Sequence, residues 1–218
     1  MSSTNRNAID VLVRLTKDRE GKDKMIKIIQ YIGKVVLWGM KAGPAGEKRW
    51  SLENERVVRA LVDNFSMFRK MIRLFDWVEP LHEIAEYVMP AGNNKGKVDM
   101  LAISRSVFDL VNTVADDVYC LYKMKVIQSK QIGEIADVQS NRAWLGTICI
   151  DLRLLFEKRQ TILQMKASKD RDEALKMNTV SILKLTCDFG FCAVHDVFEW
   201  RLSPIYQASL GLGSAFLR

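Results

Sequence analysis

Two histidines stand directly beside carboxylates, and they are the first residues to examine for catalytic chemistry. The pairs are His82-Glu83 and His195-Asp196. On a helix, side chains adjacent in sequence point about 100° apart, so neither pair makes a good acid–base dyad. The chain also lacks the HExxH metal motif, a phosphate-binding glycine loop, the GxSxG nucleophile elbow and a dinucleotide fingerprint. We therefore expect both histidines to be exposed or capping side chains, and the protein not to be an enzyme.

The cysteines give no sign of a metal or redox site. The chain has four of them, Cys120, Cys149, Cys187 and Cys192, and they form no CxxC pair. With only two histidines to help them, they do not make a convincing zinc site. A protein of the cytosol would keep them reduced. We expect four small, buried apolar groups, no metal and no cofactor.

The elements that must position these residues are helices. Of the 218 residues 48 % are apolar, with only 4 prolines and 12 glycines, a composition that folds and that costs little in a helix. Apolar side chains recur at spacings of three and four, and no long stretch alternates with period two. The pattern predicts an all-α fold, a bundle of long amphipathic helices that is membrane-associated. The first predicted helix is capped by Asn7 and runs to about Thr16. The later ones are 22–40, 51–76, 81–89, 99–128, 134–167, 171–201 and a short, apolar, Gly-containing C-terminal helix at 205–217.

The net charge of +7 is carried entirely by the first third of the chain. Residues 1–76 hold 16 basic and 9 acidic side chains, whereas residues 77–218 hold 17 of each. Such asymmetry indicates an anionic partner, either nucleic acid or an anionic lipid surface, unless the charges are only solvated helix faces. No helix-turn-helix or zinc spacing is present, and the aromatic residues lie on the apolar face, where bases could not stack on them. We therefore do not expect nucleic acid as a partner.

The segment from Val57 to Val78 has the composition of a helix that lies flat on a membrane. On a helical wheel its apolar residues fall within a narrow arc, and basic residues occupy the other side. Aromatic and aliphatic groups can enter the acyl boundary while the cationic groups stay with lipid phosphates. The alternative is the core-facing side of a soluble bundle. The predicted lipid-binding residues are Val57, Leu61, Phe65, Phe68, Arg69, Lys70, Ile72, Arg73 and Phe75.

No segment reads as a comfortable membrane span. A spanning helix needs about 20 mostly apolar residues, and the longest uncharged stretch, 202–217, contains Pro204. The start of the chain lacks a secretory signal pattern, and the last three residues are not the Ser-Lys-Leu address. In the last segment two small-xxx-small spacings, Ser209 with Gly213 and Gly211 with Ala215, would permit close backbone contact between helices in lipid. We place that segment in or on the membrane.

Aspartates interrupt the apolar runs of the later helices. They either face water on ordinary helices, the interpretation we favour, or pair between helices inside a membrane-embedded bundle. The residues are Asp109, Asp116, Asp117, Asp151, Asp188 and Asp196. Because Pro90 and the Gly-containing loop after it form the best internal boundary, we expect two regions. Residues 1–90 form the basic amphipathic region, and residues 91–218 hold candidate membrane-embedded helices and a C-terminal anchor.

Four ordered motifs make the chain similar to the peroxin-11 family. Residues 21–31, GKDKMIKIIQY, resemble the opening helix of that family. Residues 68–75, FRKMIRLF, followed by 78–81, VEPL, resemble its second motif. Residues 141–148, NRAWLGTI, and 185–188, LTCD, then the Gly-containing C-terminus, follow in the expected order.

The resemblance implies a non-enzymatic protein of the peroxisomal membrane that promotes proliferation, elongation and fission of the organelle. It further implies an amphipathic helix that remodels the membrane, self-association into homo-oligomers and recruitment of the fission machinery. The family's proposed spans would fall near 101–121 and 205–217. The small size and charged middle would also suit a glycosome. Two alternatives stay open: a pore for small metabolites, built by the polar residues of helices 99–201, and a soluble helical adaptor without lipid contact.

Overall fold

A computed structural model of the chain describes residues 19–41, 52–88, 99–193 and 204–217. These residues form helices and turns and contain no strand, so the predicted all-α class is confirmed for the described part of the chain. In chain order the helices are α1 (Arg19–Lys41), α2 (Leu52–Met71), α3 (Val78–Val88), α4 (Met100–Lys123), α5 (Lys130–Gln164), α6 (Lys169–Phe191) and α7 (Pro204–Phe216). None of these helices is both long enough and apolar enough to cross a membrane. The helix predicted between Asn7 and Thr16, the predicted boundary loop 91–96, and His195 and Asp196 lie outside the described residues.

The chain divides into two compact units. The first contains α1, α2 and, from the far end of the chain, α7; the second contains α3, α4, α5 and α6. The predicted division at residue 90 was drawn at Pro90 and the Gly-containing loop after it, and it stays a prediction.

In the first unit, α1 packs against both α2 and α7. Two glycines permit the close approach: a Cβ on Gly33 would lie 2.6 Å from Val62 Cγ2, and one on Gly211 would lie 2.4 Å from the ring of Tyr31. Lys27 Nζ donates to Ser214 Oγ at 3.0 Å. Gly211 and Ala215 are both buried, and Gly211 lies against α1 inside the protein; the contact between helices in lipid that this spacing predicts stays a prediction.

In the second unit, α4 packs on α3 and α5, and α5 packs on α6. The face of α5 that is turned inward is made of small residues, with Gly133, Ala136, Ser140 and Ala143 all buried. Gly133 lies against the ring of Tyr122. The predicted helix began at residue 134, just after this glycine; that start was wrong, because Gly133 lies inside α5 and packs against α4.

Helix ends differ from the predicted ones where a side chain outside the apolar pattern decides them. Ser129 and Ser168 cap α5 and α6 by accepting from Ile132 N and Arg171 N, so both helices begin earlier than predicted. Helix α4 ends at Lys123, before its predicted end, because Lys125 adopts a left-handed φ of 62°. The predicted C-terminal helix is confirmed to within one residue at each end.

The largest difference is in the predicted helix through Val57 to Val78, which is interrupted. Helix α2 ends at Met71 and α3 begins at Val78. In the turn between them Phe75 has a φ of 70°, and its N–H donates to Asp117 Oδ2 at 2.9 Å. A left-handed conformation costs a non-glycine residue about 1–2 kcal/mol, and the hydrogen bond that Phe75 donates to Asp117 of α4 offsets that cost.

Candidate functional site

Helices α1 and α2 contact each other through one face of each. Arg69 Nε donates to Asp23 Oδ1 at 2.8 Å, and Arg69 Nη1 donates to Gln30 Oε1 at 3.1 Å. Farther along α1, Gly33 meets Val62. Because residue numbers rise along α1 as they fall along α2, the two helices run antiparallel.

The side of α2 that does not face α1 carries exposed apolar residues. Val57, Leu61 and Phe68 are exposed to 62 %, 42 % and 47 %, and Met71 is exposed as well. These residues follow one another at spacings of four, seven and three, which places them on one face of a helix. The predicted apolar stripe therefore reaches solvent along α2.

Helix α1 carries a second exposed apolar stripe. Ile29, Ile32 and Val36 are exposed to 42 %, 47 % and 38 %, at spacings of three and four. Sequence reasoning saw this periodicity but assigned it no function.

The two stripes lie on the same side of the helix pair. At 3.6 residues per turn, the stripe on each helix lies roughly 110° around the helix axis from the residues that contact the other helix. On both helices this rotation has the same sense when the helix is followed from its N-terminus to its C-terminus. Because the helices are antiparallel, equal rotations turn both stripes toward one side. We call this surface the α1–α2 apolar face. It consists of Ile29, Ile32, Val36, Val57, Leu61, Phe68 and Met71.

Other predicted lipid-binding residues of the first unit have different surroundings. Phe65 and Ile72 are half-buried. Arg69 is held by α1, with a side chain only 14 % exposed. Lys70 is half-buried and lies more than a third of a turn from the apolar stripe. Arg69 therefore has Asp23 and Gln30 as partners within the protein, and lipid binding by Arg69 and Lys70 stays a prediction.

The last two predicted residues lie in the turn after α2. Arg73 Nη2 is 3.3 Å from Asp116 Oδ2 of α4. Phe75 is 68 % exposed, and its backbone N–H is held by Asp117. Burial raises the pKa of the Asp117 carboxyl, an effect that the hydrogen bond from Phe75 opposes.

Aspartates of the second unit pair with other groups of that unit. Arg105 Nε donates to Asp151 Oδ1 at 2.6 Å between α4 and α5, and this hydrogen bond raises the pKa of Arg105. Lys184 and Asp188 form the expected pair one turn apart, at 3.8 Å, with Asp188 buried. Together with the contacts of Asp116 and Asp117, these pairs overturn our expectation that the aspartates face water. Asp196 lies outside the described residues.

On helix α4, charged side chains face neighbouring elements and apolar side chains face outward, the reverse of an ordinary surface helix. Arg105 and Asp116 point toward α5 and the preceding turn, whereas Val107, Val111 and Val114 are exposed. A partner for this outer valine stripe is not seen among the described residues. The stripe resembles the α1–α2 apolar face in character but lies in the other unit.

The residues first considered for chemistry stay apart. His82 is exposed, with Nδ1 3.7 Å from Glu86 Oε1, as expected of an uninvolved side chain. Within the described residues, groups of acidic, cysteine or histidine side chains that could hold a metal ion are absent. Cys120 and Cys192 are buried, but Cys149 is exposed and Cys187 is half-buried, so the expectation of four buried cysteines was wrong for these two.

Comparison with known proteins adds the family. Neither the curated proteins nor the solved structures include a match to this chain. The family model described as peroxisomal biogenesis factor 11 (PEX11) matches residues 9–217, essentially the whole chain. The chain therefore belongs to the PEX11 family of peroxisomal membrane proteins, whose role is in peroxisome proliferation and division.

Proposed function

We propose that this protein lies on the peroxisomal membrane through the α1–α2 apolar face and drives elongation and fission of the organelle by bending that membrane. The observation that supports the proposal is the exposure of Val57, Leu61 and Phe68 on the same side as the stripe of α1. Soluble monomers rarely expose a large contiguous apolar surface, and one that is exposed marks contact with a membrane or another molecule.

The energetics favour an anionic bilayer as the partner. Complete removal of a large apolar side chain from water contributes about 1.5–3 kcal/mol, and partial immersion contributes a share of this. Each basic residue near an anionic leaflet adds about 1 kcal/mol, less at high salt. Lys22 and Arg56 are exposed on the two helices and can meet lipid phosphates. A surface two helices wide, inserted in one leaflet, expands that leaflet relative to the other and so favours curvature.

The proposal includes the partners expected from the family resemblance. These are an anionic phospholipid membrane, further copies of the chain in a homo-oligomer, and the fission machinery of the organelle. The protein acts without catalysis or a cofactor. Its proposed location is the peroxisomal membrane or, more specifically, the glycosomal membrane. The pore interpretation gains no support, because the polar side chains between α4 and α5 bond to one another, as Ser140 Oγ does to Asn112 Oδ1 at 3.0 Å.

The test is vesicle binding by the full-length protein. Phosphatidylcholine vesicles with and without phosphatidylserine are compared at low and high salt, for the native chain and for a Leu61→Gln/Phe68→Gln variant. The matched control is Phe156→Gln, which removes a ring that is 52 % exposed on α5. We expect the double variant to bind anionic vesicles at least tenfold more weakly, since 1.4 kcal/mol corresponds to a factor of ten. The control should bind like the native chain.

Two outcomes would contradict the proposal. If the native chain does not bind anionic vesicles even at low salt, the soluble adaptor is the better interpretation. If the double variant and the control lose binding equally, lipid contact is not made through the α1–α2 apolar face. Electron microscopy of the same vesicles tests the second step, because binding without tubulation would leave the protein a membrane ligand that does not bend the bilayer.

A further inference from the structure

The turn between α2 and α3 is strained at a residue that is ill suited to it. Residues 72–77, Ile-Arg-Leu-Phe-Asp-Trp, contain neither glycine nor proline. Even so, Phe75 adopts a φ of 70°, in the region where a bulky side chain is a genuine outlier. Such a conformation persists only when surrounding contacts enforce it.

Two neighbouring carboxylates of α4 supply those contacts. Asp117 Oδ2 accepts the N–H of Phe75 at 2.9 Å, and Asp116 Oδ2 lies 3.3 Å from Arg73 Nη2. We call these four residues the aspartate clasp. All four belong to the second unit, and the two aspartates come from one helix while the groups they bind are two residues apart in the turn.

The sequence of the turn would also accept a helix. The N–H of Ile72 already donates to Phe68 O at 3.0 Å, in the helical pattern, so α2 has begun to continue into the turn. All six residues are compatible with a helix, at the modest cost of ordinary residue types. Pro80 sets the limit: it lies in the first turn of α3, where its missing N–H is not needed, and it would interrupt a longer helix there.

We propose that the aspartate clasp holds residues 72–77 in a strained turn, and that opening the clasp lengthens α2 toward Trp77. The added turns would carry functional groups into register with the α1–α2 apolar face. Phe75 follows Phe68 by seven residues, as Phe68 follows Leu61, so these three side chains would fall on one helix face. Arg73 would be released from Asp116.

The aspartate clasp itself does not depend on lipid binding. The event that opens it, which we call the trigger, is contact with a lipid membrane and rests on the proposed function. Lipid phosphates compete with Asp116 for the guanidinium of Arg73, because both are anionic acceptors for the same donors. A membrane would then open the clasp and gain Phe75 as an additional apolar anchor.

The experiment is hydrogen exchange on the full-length protein in solution, read at the amides of residues 73–77. In Asp117→Ala the N–H of Phe75 loses its acceptor. We expect the amides of Arg73, Leu74 and Trp77 to exchange at least tenfold more slowly than in the native chain, because they become bonded within a helix, whereas those of Phe75 and Asp76 are already bonded in the turn. Faster or unchanged exchange would mean that Asp117 only caps a loop, and would overturn the proposal. Asp117→Asn keeps an acceptor oxygen and should stay close to the native chain. Asp63→Ala removes an exposed carboxylate of α2 and should leave amide exchange at residues 73–77 unchanged.

A second variant keeps the proposal testable if Asp117→Ala does not fold, which loss of protection in α5 would reveal. Phe75→Gly removes the strain and little buried surface, so its melting temperature should be equal to or above that of the native chain. The turn should also stay a turn when Asp117→Ala is added to Phe75→Gly. A melting temperature several degrees lower for Phe75→Gly would contradict a strained turn at this residue.

Vesicles separate the trigger from the clasp. Phosphatidylserine-containing vesicles should slow exchange at 73–77 in the native chain and leave Phe75→Gly unaffected. Vesicle binding without this slowing would overturn the trigger. If no vesicle binds, the proposed function fails, while the result in solution still decides whether the clasp exists.

Discussion

Arg69 shows how a partner distant in sequence removes a side chain from a surface site. Its local context, with Lys70 and Arg73 and two phenylalanines nearby, is typical of a helix that binds lipid phosphates. The structure instead gives its guanidinium to Asp23, 46 positions earlier, and to Gln30. Local spacing predicts the periodicity of α2 but holds no information about which other helix covers which side. For that reason Val57, Leu61 and Phe68 could be predicted as a stripe, and the fate of Arg69 could not.

Two glycines of α1 offer a test of the contact between α1 and α2 at single residues. A Cβ at Gly33 would lie 2.6 Å from Val62 Cγ2, whereas one at Gly39 would have nothing within 4 Å. We expect Gly33→Ala to destabilise the protein by about 1–3 kcal/mol through overpacking of a buried valine. Gly39→Ala should stabilise it by about 0.5–1 kcal/mol, because alanine is the better helix former.

Urea unfolding of the full-length protein, monitored in the first unit, measures both changes. The two substitutions are identical in chemistry and lie six residues apart in one helix, so their difference reports the packing alone. Equal shifts for Gly33→Ala and Gly39→Ala would show that α1 and α2 do not approach each other closely.

At the scale of the elements, helix interiors were predictable and helix ends less so. Apolar spacing is a local property, so it located all the helices of the described residues to within a few residues at most ends. The caps Ser129 and Ser168 were also local signals, and a closer reading of the sequence could have found them. The end of α2 could not be predicted from the nearby sequence, because it depends on Asp117, which lies 42 positions beyond Phe75.

Asp109 of α4 is a carboxylate whose surroundings disfavour its charged form. Burial raises the pKa of Asp109 above its usual 3.8; Arg105 opposes the shift, and Glu83 and Asp151 add to it. The folded protein therefore binds this proton more tightly than the unfolded chain does. The stabilising contribution of Asp109 is complete below pH 3.8 and is lost as the pH rises through the higher, folded-state pKa.

Asp109→Asn should mimic the protonated form at every pH. We expect its melting temperature to exceed that of the native chain near neutral pH, and the difference to shrink as the pH falls toward about 4. Melting curves of both proteins across this range measure the effect. Asp63→Asn, on the exposed side of α2, serves as the control and should show no comparable convergence. A difference that grows on acidification would mean that Asp109 is stabilised as a carboxylate by Arg105.

For the molecule as a whole, the first unit joins the two ends of the described chain. Helix α7 is uncharged and carries small residues, a pattern that sequence reasoning placed in or on the membrane. In the structure those small residues are the contact with α1: Ala208 and Gly211 are buried, and Tyr31 lies against Gly211. The pairing of the first described helix with the last could not be read from the sequence, since no local pattern links segments so far apart.

This arrangement predicts where the effect of losing α7 appears. Deleting residues 204–218 exposes Tyr31 and removes Ser214, the acceptor of Lys27 Nζ. Amides of α1 should then exchange markedly faster, while those of α5 and α6, which belong to the second compact unit, should keep their native protection. Gly211→Val is the milder form of the same change and should act in the same direction, whereas Ser209→Ala, on the exposed side of α7, should have no effect. If the deletion leaves α1 fully protected, α7 is an appendage to the first unit, and an anchoring role becomes its only remaining explanation.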